Sequence, residues 1–453
     1  MSFLSLSKPS ARRVPAERVH GEYLKRQTGV LIATCFSYIG YYIIRLIFTT
    51  EQVPIRKAYG FSIAQIGFIL STFGIGYGIA KLVMGSIADR VNSKSFLAFG
   101  LYVSALLNAI LGFSRNFWII LILMLLISIT QAIGAPACHR EINLWFSKKR
   151  RGTVFAVWSS AHNAGAFFCV ACVEIATAWF SGSLVGVFLT ASVISAVIAT
   201  VMLLINSDRP EVCGLPNIDA YSHTVELDAK GESRTVATTD KTVWQVFVQD
   251  ILKNKVVWAI SLASMSFYIV RYGVLSWIPS YLPTKGFTVG QAKWLVGIFE
   301  LAAVPAVILL GFISDAVKSR RALVCFCCTI LMIIALVVYF TSASKTVIWI
   351  VIFVLGGTIY APLALVDLMV NEAAPKYACG LSTGFMGFFQ YVFGETLATA
   401  LIGELVSSFG WSACDKVLYT AAGLCLILTV YLIYHERSVM AMEHRLNEEH
   451  KSN

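Results

Sequence analysis

YYIIR, residues 41–45, lies inside a long apolar run and ends in an arginine. The stretch FYIVR, residues 267–271, has the same character and lies 226 residues later in a chain of 453 residues. The separation of the two arginines is close to half of the sequence. The pair therefore suggests that the chain consists of two related halves, each with an arginine at the same place in its first helix.

The composition is that of an all-α integral membrane protein. Hydrophobic residues make up 57% of the chain and charged residues 13%, with a mean hydropathy of +0.73. Soluble proteins have about 45–50% apolar and about 25% charged residues. Apolar windows of about 20 residues, the length that spans a bilayer as a helix, recur along the sequence. We predict twelve transmembrane helices, at residues 29–49, 63–88, 96–114, 117–138, 153–179, 183–205, 256–282, 290–314, 322–341, 346–370, 378–405 and 413–435.

Polar segments divide these helices six and six. The predicted organisation is an N-terminal segment at 1–28, a six-helix half at 29–205, a linker at 206–255, a second six-helix half at 256–435 and a tail at 436–453. The offset of 226 also superimposes the Gly and Asp of GSIADR, residues 85–90, on those of GFISDA, residues 311–316. Two six-helix halves related by an axis along the membrane normal are the arrangement of the major facilitator fold.

Basic residues indicate the orientation of the chain in the membrane. With twelve helices both termini lie on one side, and the positive-inside rule makes that side the cytoplasm. The basic N-terminal segment lacks the apolar core of a secretory signal. The net charge of +11 is thus explained by topology, and we expect no nucleic-acid partner. The basic residues predicted to lie inside are Arg90, Lys94, Lys148, Lys149, Arg150, Arg151, Lys318, Arg320 and Arg321.

The two arginines are predicted to lie at the same depth in the membrane. About 15 residues at roughly 1.5 Å each place them some 22 Å from the inner end of their helices. An arginine in the middle of a bilayer costs about 3 kcal/mol on insertion scales, so both should face the protein interior or water. Each arginine could pair with a buried carboxylate, or both could bind one anion. The candidate carboxylates are Glu174, Glu300 and Glu395.

An anion bound by two guanidinium groups is best matched by a phosphate ester. Each guanidinium offers a planar fork that binds oxygens in pairs, and a phosphate monoester carries about −1.5 to −2 charges and three acceptor oxygens. The predicted substrate is therefore a phosphorylated small molecule.

Further polar residues fit a cavity near the first arginine. Tyr38 and Tyr42 share a face of helix 1, and Lys81 follows Tyr77 by one turn in helix 2. His162 is the only histidine in the middle of a predicted transmembrane helix. An intramembrane histidine can bind substrate or simply pack, and its sequence context leaves both open.

The sequence predicts neither a cofactor nor an enzyme. Most of the eleven cysteines fall in apolar helices as small packing residues, and Cys169 and Cys172 lack the partner half of a zinc site. No nucleophile and base occur together near His162. We therefore predict no catalytic residues, no metal ligands and no cofactor.

Over nearly its whole length the sequence resembles the organophosphate:phosphate antiporters of the major facilitator superfamily. The resemblance implies exchange of a phosphorylated metabolite for inorganic phosphate. It also implies that Arg45 and Arg271 bind the phosphate, that His162 and Lys81 lie beside them, and that five tyrosines line the cavity: Tyr38, Tyr42, Tyr77, Tyr360 and Tyr391. The motifs that carry it are GYYIIR (40–45), YGIAKLVMGSIADR (77–90), KKRRG and VWSSAHNAG (within 148–165), DRPEVCGLP (208–216), YIVRYGVLSWIPSYL (268–282), and NEAAPKYACG and GFMGFFQYVFG (within 371–394).

The sequence departs from the family at positions that bear on substrate. Related transporters commonly have RKNF where this chain has RLIF at 45–48, so the second base is missing. The enterobacterial hexose-phosphate exchanger has an aspartate and a lysine in helix 11, whereas the corresponding residues of this chain are Thr383 and Met386, so that charge pair is absent. We expect a sugar phosphate such as hexose-6-phosphate as substrate, with glycerol-3-phosphate and phosphoglycerate as alternatives.

Other functions compatible with the sequence are a non-transporting sugar-phosphate sensor of the same family and a transporter of another organic anion. The resemblance places the chain in a cell inner membrane, in contact with the lipid bilayer. We expect it to function as a monomer.

Overall fold

The computed structural model describes residues 10–88, 91–146, 148–218, 221, 242–317, 320–373 and 379–452. The Gly-Asp repeat motif falls on positions whose side chains lie outside this description, as do the side chains of Lys148, Lys149 and Arg151 in the basic run. Within the described residues, twelve helices are long and apolar enough to cross a membrane, as predicted. The main helices are α1 (Ala16–Tyr59), α2 (Ile63–Ala88), α3 (Ser93–Phe113), α4 (Phe117–Gln131), α5 (Gly134–Trp145), α6 (Lys148–Trp179), α7 (Leu184–Ile205), α8 (Lys255–Leu275), α9 (Val289–Leu301), α10 (Ala303–Ala316), α11 (Arg321–Thr341), α12 (Lys345–Ala373), α13 (Cys379–Phe388), α14 (Ile402–Phe409) and α15 (Ser412–Ser452).

Some membrane spans consist of more than one of these helices. Two turn residues separate α4 from α5, and both belong to one span at Phe117–Ile142. Likewise α9 and α10 share the span Val289–Ser314. Between α13 and α14 the backbone is π-helical at Phe389–Glu395 and Leu397–Leu401. Single π-turns inside helices occur frequently at functional sites.

The chain folds into two compact units. Unit 1 consists of Met1–Val236 together with Ile278–Leu301, and so contains α1 to α7 and α9. Unit 2 consists of Ala237–Trp277 and Ala302–Asn453, and contains α8 and α10 to α15. The division of the sequence at 206–255 into two six-helix halves stays a prediction.

The end of α1 shows a further correspondence at the 226-residue offset. Gly60 terminates α1 in the left-handed conformation, with φ of 71°, and its N–H donates to the Arg56 carbonyl. Gly286 has φ of 82° and ends a short helical turn before α9. Glycine is favoured at both places because it adopts positive φ without steric cost.

The helices that follow these glycines begin with the same cap. The Ser62 hydroxyl accepts from the Gln65 N–H, and the Gln65 side chain accepts from the Ser62 N–H, at 3.1 and 2.9 Å. Before α9 the Thr288 hydroxyl accepts from the Gln291 N–H at 3.1 Å, and the Gln291 side chain accepts from the Thr288 N–H at 3.0 Å. This capping box satisfies two backbone donors at each helix start. GFSIAQ, residues 60–65, and GFTVGQ, residues 286–291, are thus a further repeat at the same offset.

The motif DRPEVCGLP begins three residues after the end of α7, and its first residue contacts the start of α3. The Asp208 carboxylate accepts from the Ser93 N–H at 2.9 Å, and the Trp145 indole donates to the Ser207 carbonyl at 2.9 Å. Asp208 lies outside the membrane spans and is only 4% exposed. Burial raises its pKa above the usual value, while the Ser93 N–H opposes that shift.

A buried ion pair joins three helices of unit 1. The Lys293 ammonium of α9 lies 2.5 Å from a carboxylate oxygen of Glu51 on α1 and 3.6 Å from one of Glu174 on α6. Lys293 is 3% exposed and Glu51 2%. Glu174, one of the three carboxylates considered as an arginine partner, therefore lies beside Lys293.

Candidate functional site

Arg45 lies inside unit 1 and is enclosed by aromatic rings. It is 7% exposed. The guanidinium carbon lies 4.4 Å from the centre of the Tyr77 ring, 4.8 Å from Phe73 and 5.6 Å from Tyr42. Aromatic faces attract a guanidinium through their quadrupoles, and the attraction is stronger when the group is desolvated. The rings therefore offset part of the cost of burying this charge and fix the plane of its donor groups.

The other predicted residues of unit 1 adjoin Arg45. The His162 ring of α6 lies 5.1 Å from the Tyr42 ring and 6.2 Å from the Tyr38 ring, and the two tyrosine rings are 5.3 Å apart. The Lys81 ammonium lies 6.0 Å from the centre of the Tyr77 ring. All six residues predicted from the first half thus form one connected cluster, which we call the basic cluster: Tyr38, Tyr42, Arg45, Tyr77, Lys81 and His162.

Arg271 has an equivalent environment in unit 2. It is 4% exposed, and its guanidinium carbon lies 4.3 Å from the centre of the Tyr360 ring, 4.9 Å from Tyr272 and 5.4 Å from Tyr268. Each arginine therefore contacts three aromatic rings. One of those rings precedes the arginine by three residues in both cases.

Tyr391 joins this second group through Tyr268. The two rings are 5.2 Å apart, and the Tyr268 hydroxyl donates to the Tyr391 hydroxyl at 3.4 Å. Tyr391 is 6% exposed and lies in the π-helical segment after α13. All three predicted residues of the second half, Arg271, Tyr360 and Tyr391, are thus brought into one cluster.

A glycine packs against each arginine-bearing helix at the corresponding place. A Cβ atom on Gly165 of α6 would lie 2.8 Å from Ile39 Cα and 2.9 Å from Tyr42 Cβ. A Cβ atom on Gly394 would lie 2.8 Å from Tyr268 Cβ and 3.0 Å from the Met265 carbonyl oxygen. Small residues of this kind allow close helix approach in membranes. The contacted residues Ile39 and Met265 are again 226 positions apart.

Gly165→Ala and Gly394→Ala are each expected to destabilise the protein. Because the added methyl group meets backbone atoms that cannot move away, the helices must separate, at a cost of about 1–3 kcal/mol. Thermal unfolding in detergent measures the change. Gly423→Ala in α15 is the matched control, since nothing lies within 4 Å of its Cβ position. Equal unfolding midpoints for all three variants would contradict the close packing.

The fourth span extends further than predicted and includes a second histidine, His139, near its end. The prediction for this helix was 117–138, and His162 was the only histidine predicted in the middle of a transmembrane helix. The structure continues this span as α5, which contains His139. The His139 ring lies 4.8 Å from the Trp158 ring, which stacks on Tyr38 at 4.4 Å. His139 therefore adjoins the basic cluster. The predicted helix ended at residue 138, one position before His139.

Three other aromatic residues around the arginines were not predicted as site residues: Phe73, Tyr268 and Tyr272. The offset of 226 offered a signal for one of them, because Tyr268 is the equivalent of Tyr42. Phe73 lies one turn before Tyr77 on α2, so the same helix face indicated it. Tyr272 directly follows Arg271, and neither the repeat nor helix periodicity distinguishes it.

The charges of the two clusters favour an anion. The basic cluster combines the guanidinium of Arg45 with the ammonium of Lys81 and the imidazole of His162, and Arg271 adds a guanidinium to the group in unit 2. Among the described residues, no group of three or more histidine, cysteine or acidic side chains could hold a metal ion. What these residues can do chemically is bind an anion through charged donors.

Comparison with known proteins identifies the class. A family model described as Major Facilitator Superfamily matches residues 30–394. A bacterial homologue of the human lysosomal transporter Spinster, in an inward-facing and unoccupied conformation, has the same fold. The TM-score is 0.69 with 16% sequence identity, covering 90% of this chain and 95% of that one. The chain belongs to the major facilitator superfamily and is a membrane transporter, not an enzyme.

Relatives of known substrate identify the family within that class. The phosphoglycerate transporter protein of Salmonella typhimurium is 33% identical, covering 93% of this chain and 92% of the relative. The glycerol-3-phosphate transporter of Bacillus subtilis is 32% identical, covering 94% and 95%. The hexose-6-phosphate:phosphate antiporter of Escherichia coli K12 is 28% identical, covering 97% of each chain. The chain is a member of the organophosphate:phosphate antiporter family, as its motifs predicted.

Proposed function

We propose that this protein exchanges a phosphorylated metabolite for inorganic phosphate, and that Arg45 and Arg271 both bind the phosphate group. The observation that carries the proposal is the pair of buried arginines at positions related by the 226-residue repeat. Each of them contacts three aromatic rings. A buried guanidinium with a fixed plane is suited to hold a phosphate through paired hydrogen bonds. Lys81 and His162 add positive charge and donors beside Arg45.

The organic part of the substrate is proposed to be a sugar phosphate such as hexose-6-phosphate. Glycerol-3-phosphate and phosphoglycerate are the alternatives, since relatives that transport each of them differ little in their identity to this chain. The missing helix 11 charges, at Thr383 and Met386, remove a resemblance that would have favoured hexose phosphate. The competition experiment described below therefore decides the substrate.

The proposed mechanism is alternating access, in which the two halves rock about a fixed site. Bound phosphate neutralises the positive charge of both arginines and contacts both halves. The empty carrier would have to bury two uncompensated cations when it closes, which is costly. Transport is therefore an obligatory exchange, because only the loaded protein changes conformation at a useful rate.

We place the protein in a bacterial inner membrane, with both termini in the cytoplasm and the monomer as the functional unit. The basic residues of the cytoplasmic loops and the bacterial relatives support this orientation and location. Cysteine labelling from each side of intact cells at residues 1–28 and 436–453 tests the position of the termini.

Exchange in proteoliposomes tests the function. Vesicles loaded with inorganic phosphate are expected to take up labelled phosphate in a protein-dependent manner, and empty vesicles are expected not to. Competition by glucose-6-phosphate, glycerol-3-phosphate and 3-phosphoglycerate then ranks the substrates. Binding of an ester without exchange would identify a sensor. Failure of both phosphate and every ester to bind would overturn the proposed anion site.

A further inference from the structure

Asp367 is a carboxylate within a membrane span that is neither in the predicted site nor buried. It lies in α12, in the span Lys345–Val370, and its side chain is exposed. A charged side chain facing lipid is costly, and acidic residues in spans almost always face a protein interior or water. The exposed Asp367 carboxylate is therefore assigned to a surface that water reaches.

The position of Asp367 on α12 relates it to Arg271. Tyr360, whose ring lies 4.3 Å from the Arg271 guanidinium, precedes Asp367 by seven residues. Seven residues are about two helical turns, so both side chains lie on the same face, about 10 Å apart along the axis. Arg271, Tyr360 and Asp367 all belong to unit 2.

A buried amide connects Asp367 to the residues around Arg271. The Gln390 side chain donates to a carboxylate oxygen of Asp367 at 3.4 Å and to the Ser264 hydroxyl at 2.7 Å. Gln390 is 4% exposed and Ser264 is fully buried. Gln390 also directly precedes Tyr391. The carboxylate thus contacts a buried amide through one oxygen, and a carboxylate has several acceptor sites, so an exposed one can also accept from a ligand hydroxyl.

We propose that Asp367, held by Gln390, determines which organic group is accepted once Arg271 holds the phosphate. The carboxylate accepts hydrogen bonds from the hydroxyl groups of an uncharged polyol and repels a second anionic group. The substrate class is therefore neutral polyol phosphates, such as sugar phosphates and glycerol-3-phosphate. Phosphoglycerate, whose carboxylate would face Asp367, is disfavoured. This inference rests on the proposed function.

Asp367→Asn tests the proposal, because asparagine keeps the shape and can still accept from Gln390 while losing the charge. Relative to wild type, 3-phosphoglycerate is expected to compete about tenfold better for phosphate exchange, a change of about 1.4 kcal/mol. Glucose-6-phosphate and glycerol-3-phosphate are expected to compete less well. Phosphate self-exchange involves no organic group, so it is the reference activity against which the competition by each ester is compared.

Two variants serve as controls. Asp367→Glu keeps the charge and is expected to keep the discrimination against 3-phosphoglycerate. Asp415→Asn, at the start of α15 in the same unit, removes one negative charge elsewhere and is expected to leave all inhibition constants unchanged. A similar effect of Asp415→Asn would attribute the change to net charge and overturn the proposal.

The failures of the two proposals differ. If wild type exchanges phosphate but Asp367→Asn leaves every competition ratio unchanged, Asp367 has only a packing role and this inference is wrong. If the folded variant loses phosphate self-exchange, Asp367 acts on the phosphate or the transport cycle, and the specificity role is also wrong. If wild type itself exchanges no phosphate, the proposed function fails and this inference with it.

Discussion

Arg45→Lys and Arg271→Lys are each expected to reduce phosphate exchange in proteoliposomes by at least about a hundredfold. Lysine keeps the positive charge, so the substitution removes only the planar fork and its contact with aromatic faces. Hydrogen bonds between charged groups contribute about 1.5–3 kcal/mol each, and every 1.4 kcal/mol is about tenfold in binding. Loss of one paired interaction is therefore enough for an effect of this size.

The equivalence of the two positions sharpens this prediction. Each guanidinium carbon lies 4.3–4.4 Å from the centre of one tyrosine ring. A lysine ammonium has no planar group to stack on that ring at either position. The two variants should therefore show losses of similar size. Arg56→Lys, in the last turn of α1, is the matched control and is expected to exchange phosphate like wild type.

Binding measurements separate the phosphate site from a structural role. Phosphate is expected to raise the thermal unfolding midpoint of wild type, because a ligand that binds only the folded state stabilises it. It is expected to have little effect on either lysine variant. Lower intrinsic stability with retained phosphate exchange would instead support the alternative that each arginine pairs with a buried carboxylate.

Lys293→Met is expected to destabilise the protein by about 3–5 kcal/mol, because it leaves the buried Glu51 carboxylate without its cation. The Lys293 ammonium lies 2.5 Å from a carboxylate oxygen of Glu51 and 3.6 Å from one of Glu174. Its loss therefore leaves two neighbouring carboxylates that repel each other without a cation between them. The variant should unfold at a lower temperature in detergent. It should also weaken the attachment of α9 to α1 and α6.

The double variant distinguishes the ion pair from simple packing. Lys293→Met combined with Glu51→Gln removes both charges and is expected to recover most of the lost stability, because a buried neutral pair carries no large desolvation cost. If the effects of the two substitutions simply add, the ion pair is not the source of the destabilisation. Lys416→Met, an exposed lysine of α15, controls for the loss of a surface charge.

The spans and the two arginines could be predicted because hydrophobic runs, and charges that are costly within them, are visible in the sequence. Apolar runs of this length are not stable in water, and in lipid a helix satisfies their backbone hydrogen-bonding groups. The predicted count of twelve spans was confirmed within the described residues. The two arginines were recognisable because charge in an apolar run is rare. Tyr38, Tyr77 and Lys81 followed from helical spacing around them.

Contacts between distant parts of the chain were not accessible in the same way. Lys293 pairs with Glu51 across 242 residues, and neither residue differed in its local sequence from an ordinary residue at a helix end. His139 was not among the predicted site residues because the predicted helix ended at residue 138, whereas the structure continues the span to Ile142.

By itself, the sequence determined the class of protein, the number of spans, the repeat and the two arginines, because each depends on local composition or on comparison of the chain with itself. Only the tertiary structure decided which rings enclose each guanidinium, which carboxylate neutralises Lys293 and where Asp367 lies relative to Gln390. Those choices depend on which helices approach one another, and small residues such as Gly165 and Gly394 set that approach through contacts that the one-dimensional pattern does not specify.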